Sequence, residues 1–341
     1  MILVLRRDIT VEQREGIEAF LSARGALSTQ APGGEMEALA LLAMPEGLLG
    51  SALLALPGVE RLLPMSESFL LASRAAREGT TVVSWKGVEV GATALALMAG
   101  PCAVESAGQM DACAAAVRAA GGRILRGGSF KPRTSPYAFQ GLGEEGLRLH
   151  REAADRHGLL VLSEVLDRAD LPLVAERADL LQVGSRNMQN FPLLKVLGKQ
   201  EKPVVLKRGL SATREEFLLA AEYVLQGGNG KVILCERGVR SFDPVLRNTL
   251  DLASVCLLKE MTHLPVIVDP SHATGRRTLV APMARAAVAA GADGLLVEIH
   301  PDPGRALSDG PQALPASELR ALAMEMAAIA PIVGRTFEVP R

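Results

Sequence analysis

The amino-acid sequence predicts a (β/α)8 barrel preceded by a small ferredoxin-like domain of order βαββαβ. Two observations predict the barrel. Beyond residue 80, eight short apolar runs alternate with helix-patterned stretches, and together they fill about 260 residues. Strand–helix alternation implies a parallel sheet, and a barrel of this kind typically takes about 250 residues. The third observation concerns residues 1–65, whose apolar runs and breakers follow the order strand, helix, strand, strand, helix, strand. The expected division is a domain over 1–65, a linker over 66–79 and the barrel over 80–341.

In the first domain, residues 2–5 read as a strand, and Thr10 caps a helix running to about Ala23 that Gly25 stops. Residues 26–30 form the second strand, Pro32-Gly33-Gly34 a turn, and the apolar stretch up to Ala43 the third strand. A helix over 48–55 ends at Pro57-Gly58, and 59–63 is the last strand. The linker reads as helical or irregular. Residues 81–85 and 88–90 flank Lys86-Gly87 as a hairpin that would plug the N-terminal mouth of the barrel. The barrel strands fall at 95–99, 123–125, 159–162, 180–183, 204–206, 232–234, 266–268 and 294–297. Helical patterns such as 110–120, 144–157, 214–225 and 280–290 lie between them.

Composition supports this size and excludes several classes. Apolar residues are 48% of 341, enough for one large core and a small one, but aromatics are only 3%, so Ala, Leu and Val must fill it. With 37 basic and 38 acidic residues the net charge is −1. That balance gives no general pull toward nucleic acid or an anionic membrane, so a local cluster of cations needs a local reason. Cys102, Cys113, Cys235 and Cys256 form no C-x-x-C pair, which suits reduced thiols in a cytoplasmic protein. The start MILVLRRDIT places charges after five apolar residues and does not read as a signal peptide. No apolar run is long enough to span a bilayer.

Nearly every predicted strand leads at once into a chemically capable residue. Strand one runs into Gly100-Pro101-Cys102, strand two into Arg126 and on to Lys131, and strand three into Ser163-Glu164. Strand four gives Gly184-Ser185-Arg186, strand five Lys207-Arg208 and strand six Cys235-Glu236-Arg237. Strand seven leads through Asp269-Pro270-Ser271 to His272, and strand eight ends in Glu298-Ile299-His300. In a barrel these positions converge on one mouth, where active sites are built. A single such residue is most often a solvated charge at the start of a loop; a complete ring is not.

The ring sorts into two sets. Arg126, Lys131, Arg186, Lys207 and Arg237 are cations whose mutual repulsion a multiply charged anion would relieve. The Gly127-Gly128-Ser129 and Gly184-Ser185 turns add backbone donors for the same anion. This pattern points to a phosphorylated, carboxylated substrate. Cys102, His272, Glu298 and Asp309 are the second set. Thiol, imidazole and carboxylate together suit a divalent transition metal, and their place at the mouth suits catalysis with one position open. Each alone has a plainer reading: Cys102 as a small buried hydrophobe, His272 as a loop cap. His150, His157 and His263 read as structural or solvated, whereas His300 lies close enough for substrate contact.

Five separated runs, occurring in order, then resemble a known family. They are 99–106 (AGPCAVES), 126–135 (RGGSFKPRTS), 182–187 (QVGSRN), 206–209 (LKRG) and 269–275 (DPSHATG). They resemble the 3-deoxy-D-arabino-heptulosonate 7-phosphate (DAHP) synthases of the type I β group, which share that group with the KDO8P synthases. The resemblance covers about residues 80–330.

The resemblance implies a transferase that condenses phosphoenolpyruvate with D-erythrose 4-phosphate and water to give DAHP and phosphate. This is the first step of the shikimate pathway to aromatic amino acids. It implies that Cys102, His272, Glu298 and Asp309 bind a divalent metal such as manganese, iron, cobalt or zinc. Arg126, Lys131, Arg186, Lys207 and Arg237 match the phosphoenolpyruvate contacts, with Ser185 beside them and Glu164 near the reacting carbons. Lys131-Pro132-Arg133-Thr134 matches the erythrose 4-phosphate motif, Arg133 and Thr134 facing the phosphate. KDO8P relatives read Lys-Ala-Asn-Arg-Ser there, so the aldehyde expected is erythrose 4-phosphate. Lys131 is expected to transfer a proton, and Glu164 or His300 to orient water. The N-terminal domain resembles a regulatory extension, which implies phenylalanine or tyrosine as effectors and a homotetramer. The competing readings are a KDO8P synthase, a metal-dependent aldolase, and an amino-acid-binding sensor with an inert barrel.

Overall fold

The computed structural model describes residues 1–30, 38–43, 45, 47–63, 69–77, 79–133 and 135–341. The chain begins with β1 (Ile2–Leu5), α1 (Val11–Ala23), β2 (Leu27–Gln30), β3 (Ala38–Ala43), α2 (Gly50–Leu54) and β4 (Val59–Leu63). Thr10 caps α1 in a reciprocal pair with Gln13. The strands lie in the order β2-β3-β1-β4 with every pairing antiparallel, the ferredoxin-like arrangement. Leu3, Leu5, Leu39 and Leu41 of the sheet are buried with Ile17 and Leu21 of α1 and Leu53 of α2. The turn expected at Pro32-Gly33-Gly34 lies outside the described residues.

Alternation along β1 and β3 sends Ile2, Ala38 and Ala40 to the other face, where they join the buried cluster of the barrel and its flanking segment. That segment differs from a free linker. Phe69, Leu70, Leu71 and Ala72 are all buried, because four apolar side chains in a row have more to gain against a core than in water. Their backbone is held as tightly. The N–H groups of Leu70, Leu71 and Ala72 donate to the Glu222 carboxylate at 3.0, 2.6 and 2.9 Å. His263 Nε2 reaches the Leu71 carbonyl at 2.7 Å, and Thr262 Oγ1 donates to that of Ala72. Burial pushes the His263 imidazole down to about 4, so it serves as a neutral tether. A single 3-10 turn, Arg74–Ala76, follows.

The hairpin forms as β5 (Val83–Trp85) and β6 (Val88–Val90). The parallel strands are β7 (Ala96–Gly100), β8 (Ile124–Arg126), β9 (Leu160–Glu164), β10 (Leu180–Val183), β11 (Val204–Lys207), β12 (Val232–Glu236), β13 (Val266–Val268) and β14 (Gly294–His300). Pairing of β14 with both β13 and β7 closes the barrel. Its helices are α3 (Ala107–Ala119), α4 (Gly143–Arg156), α5 (Leu171–Arg177), α6 (Phe191–Leu197), α7 (Arg214–Gln226), α8 (Leu252–Met261), α9 (Pro270–Thr274), α10 (Arg277–Ala289) and α11 (Leu319–Ile329).

Residue parity separates two buried layers. Met98, Ile124, Leu162, Leu180, Val205, Ile233, Ile267 and Leu296 point inward, clustered with Val83 and Val90 of the hairpin. Their neighbours, such as Leu97, Leu125, Val161, Leu206 and Leu295, pack outward with the helices. The hairpin thus covers the apolar floor at the N-terminal mouth. It is tied there by Lys86 Nζ to Asp179 at 2.6 Å and by the Thr81 N–H to the His263 carbonyl at 2.6 Å. Several strands run one to three residues past their expected ends, because a charged side chain aimed into a cavity does not interrupt the backbone ladder. Among the described residues no helix is long and apolar enough to cross a membrane.

Candidate active site

Continuing the inward parity by two residues carries six of the eight strands from the apolar floor to a polar, mostly charged rim. Ile124 is followed by Arg126, Leu162 by Glu164, Leu180 by Gln182, Val205 by Lys207, Ile267 by Asp269 and Leu296 by Glu298. Arg208 and Glu236 fall on the other parity. They pair with each other at 2.8 Å, and neither is a cavity-lining residue. The rim encloses a cavity of about 410 Å³, lined by all five expected cations, Arg126, Lys131, Arg186, Lys207 and Arg237, together with Arg133, Glu164 and Ser185. Thr134 lies outside the described residues.

The cations are less bare than the sequence suggests. Arg126 donates to Glu298 at 2.8 Å, and Lys207 to Asp269 at 2.5 Å. Lys131 Nζ sits 2.8 Å from the Cys102 carbonyl oxygen and 3.1 Å from its Sγ. Burial alone would lower the Lys131 ammonium, but the charges of Cys102 and Glu164 outweigh it and raise its pKa above the ordinary lysine value. Burial dominates at Arg237 and lowers its pKa; its guanidinium spans to the Gly238 and His272 carbonyls. Arg126 Nε is buried with no hydrogen-bond partner, a donor left for a ligand. Glu164 is held by Gln182 Nε2 at 3.1 Å. Gly184 makes room for it: a Cβ there would lie 2.0 Å from Glu164 Oε1.

Cys102, His272, Glu298 and Asp309 converge as expected, each offering one ligand atom within 4.8 Å of the others. His272 Nδ1 bonds to Asp269 Oδ2 at 2.6 Å, which turns Nε2 toward Glu298 Oε1 at 3.1 Å and Asp309 Oδ2 at 3.9 Å. Cys102 Sγ lies 3.2 Å from Asp309 Oδ2. Burial would lower the His272 pKa, but Asp269 and Glu298 reverse that and raise it to about 9. Burial would raise Asp269 and Glu298; His272 overcomes it and holds both below the usual carboxylate range. One sulfur, one nitrogen and two carboxylate oxygens around a single point fit a divalent transition metal, and a further carboxylate behind the imidazole, here Asp269, is the usual support for such a ligand.

His300 is placed differently. Its Nδ1 accepts the Asp302 N–H at 3.0 Å, its Nε2 faces Glu105 at 3.3 Å, and it is not among the cavity-lining residues. His150 is buried and bonds through Nε2 to the Leu125 carbonyl at 3.0 Å, and His157 pairs with Asp111. The sequence reading also missed cavity residues. Arg240, Arg247 and Asn248 come from the irregular segment after β12, which carries no periodic signal. Gln182 and Asp269, by contrast, were detectable from parity alone.

Comparison with known proteins gives a consistent outcome. Residues 73–333 match the DAHP synthetase I family. Phospho-2-dehydro-3-deoxyheptonate aldolase of Thermotoga maritima is 43% identical over 334 residues, covering 98% of this chain and 99% of its own. The crystal structure of a Thermotoga maritima protein of that name, also called DAHP synthase, superposes with a TM-score of 0.79, at 42% identity and 99% coverage of both chains. A truncated form of the 3-deoxy-D-arabino-heptulosonate 7-phosphate synthase from Thermotoga maritima matches at 46% identity and a TM-score of 0.75, over 80% of this chain and all of its own. The 2-dehydro-3-deoxyphosphooctonate aldolase of Syntrophotalea carbinolica is more distant, 34% identical over 70% of this chain. With more than half of its length matched, the chain belongs to the DAHP synthetase I family.

Proposed function

We propose that the chain is a metal-dependent DAHP synthase, joining phosphoenolpyruvate to D-erythrose 4-phosphate with water and releasing inorganic phosphate. The observation that carries the reading is one cavity in which the five expected cations, with Arg133, Arg240 and Arg247, adjoin a sulfur–nitrogen–carboxylate donor set. Arg126, Lys131, Arg186, Lys207 and Arg237 would hold the phosphate and carboxylate of phosphoenolpyruvate, and Ser185 would add a donor. Arg133 and Thr134 would take the aldehyde's phosphate. Fixing both substrates turns a bimolecular encounter into a positioned one. Bound at Cys102, His272, Glu298 and Asp309, the divalent metal would polarise the aldehyde carbonyl as a Lewis acid.

Carbon–carbon bond formation leaves the former aldehyde oxygen needing a proton, and cation character at C2 needing water. Lys131 stands beside Cys102 at the edge of the donor set and keeps its proton, since its pKa is raised, so its position makes it the proton donor we assign. Glu164, anchored by Gln182, orients the water. His300 is the weaker choice, since both ring nitrogens already have partners. Residues 1–65 would form a regulatory domain, with 66–79 joining it to the catalytic barrel at 80–341. Phenylalanine or tyrosine would act through it in a homotetramer of cytoplasmic protein. The four unpaired cysteines suit that compartment, and the buried Phe69–Ala72 segment offers a mechanical route from one part to the other.

Three experiments test this reading, the first with two readouts. Phosphate release should require both phosphoenolpyruvate and erythrose 4-phosphate, vanish on chelation and return with manganese. Lys131→Met should lower kcat by about 10²–10⁴-fold in the same assay. Release with arabinose 5-phosphate alone, or silence with both aldehydes, would overturn the reading. Second, deleting residues 1–65 should leave turnover while removing inhibition by phenylalanine and tyrosine; inhibition that survives deletion would refute the regulatory role. Third, His272 binds a proton up to about pH 9 and must lose it to ligate. Metal affinity of the stripped protein should therefore climb about tenfold per pH unit from 6 toward 9. A flat profile by chelator competition would contradict this.

A further inference from the structure

We infer that Arg247, working through Gln312, is a positioning residue that fixes which oxygens of Glu298 and Asp309 face the metal. The inference rests on reading Cys102, His272, Glu298 and Asp309 as metal ligands. Arg247 Nη1 forms an ion pair with Asp309 Oδ1 at 3.2 Å, which leaves Oδ2 turned toward Cys102 and His272. The same nitrogen donates to Gln312 Oε1 at 2.7 Å, and Gln312 Nε2 donates to Glu298 Oε2 at 2.5 Å. That leaves Glu298 Oε1 facing His272 Nε2 at 3.1 Å. One guanidinium thereby pins the outer oxygen of one carboxylate directly and of the other through a buried amide.

The backbone around Arg247 completes the brace. Its N–H donates to the Thr274 carbonyl at 3.3 Å, the Asn248 N–H to that of Ala273 at 2.8 Å, and Asn248 Nδ2 to that of His272 at 3.1 Å. Three of the four ligands are therefore tied to one dipeptide. The fit is close: a Cβ on Gly275 would come within 2.6 Å of Arg247 Cβ. Asp309 also needs holding, since it sits in the left-handed region at φ 54°, which few residues other than glycine adopt.

Charge and position make opposite demands here, so they can be told apart. A cation beside a divalent metal repels it, and removing the charge alone would tighten metal binding. Losing the brace would weaken it. The test is chelator-competition titration of stripped full-length protein with cobalt, read also by the thiolate-to-cobalt absorption band, for Arg247→Met, Arg247→Lys and Gln312→Leu. The expected result is a metal Kd raised about 10–100-fold in Arg247→Met and Gln312→Leu, and less in Arg247→Lys, with a perturbed band and unchanged thermal unfolding of the stripped proteins. Unchanged or tighter binding in Arg247→Met and Gln312→Leu would overturn the inference. Cys102→Ser separates the two levels: if it binds cobalt as wild type does, the metal-centre reading itself fails and takes the brace with it.

Discussion

The arrangement of the cavity turns on one buried carboxylate. Asp269 is wholly shielded from solvent and accepts from Lys207 Nζ, from His272 Nδ1 and from the His272 backbone N–H that opens α9. A buried carboxylate with a single partner is costly, whereas three donors satisfy it. Its two oxygens settle where two side chains point. The imidazole must present Nε2 to the cavity, and the ammonium must stand in the wall. From there a line of alternating charge runs through Lys207, Asp269, His272, Glu298 and Arg126. The cation cradle and the donor set are therefore one electrostatic unit, in which an anion on one side and a cation on the other each relieve what the other leaves uncompensated.

The barrel makes this unit possible at low conformational cost. Period-two alternation stacks Ile124 below Arg126, Val205 below Lys207 and Leu296 below Glu298, so a floor of branched apolar side chains supports the charged rim. The hairpin seals that floor from below, and with so few aromatic residues the layer depends on Leu, Ile, Val and Met meeting in close register. The segment 69–72 reaches the same body from the side. Glu222 of α7 gathers three of its N–H groups, which fastens the segment to the barrel.

Much of this could be read from the sequence, and the reasons are physical. Short apolar runs ending in a polar residue, separated by helical stretches, determine a parallel barrel with one functional mouth, and Cys102, His272 and Glu298 stood at strand ends where that logic places them. The expected strands stop at the last residue of each apolar run, whereas Arg126, Glu164 and Lys207 are buried and still in the ladder. Segment 69–72 lacks periodicity and so reads from the sequence only as part of the connection 66–79; its burial against the barrel is visible in the structure alone. Arg247 and Gln312 were illegible. Arg247 lies in irregular chain and Gln312 ends a single 3-10 turn, Gly310–Gln312, and their significance comes from contacts 65 residues apart, which no local pattern encodes.

The central claim, that Asp269 sets the geometry shared by the donor set and the cradle, is tested most directly by the metal affinity of Asp269→Asn in stripped protein. The substitution keeps the shape and removes the charge. Loss of the imidazole's support and loss of a nearby negative charge both act against a divalent cation, so the account predicts a Kd raised about 10–100-fold with the circular dichroism unchanged. Wild-type affinity in that variant would contradict it.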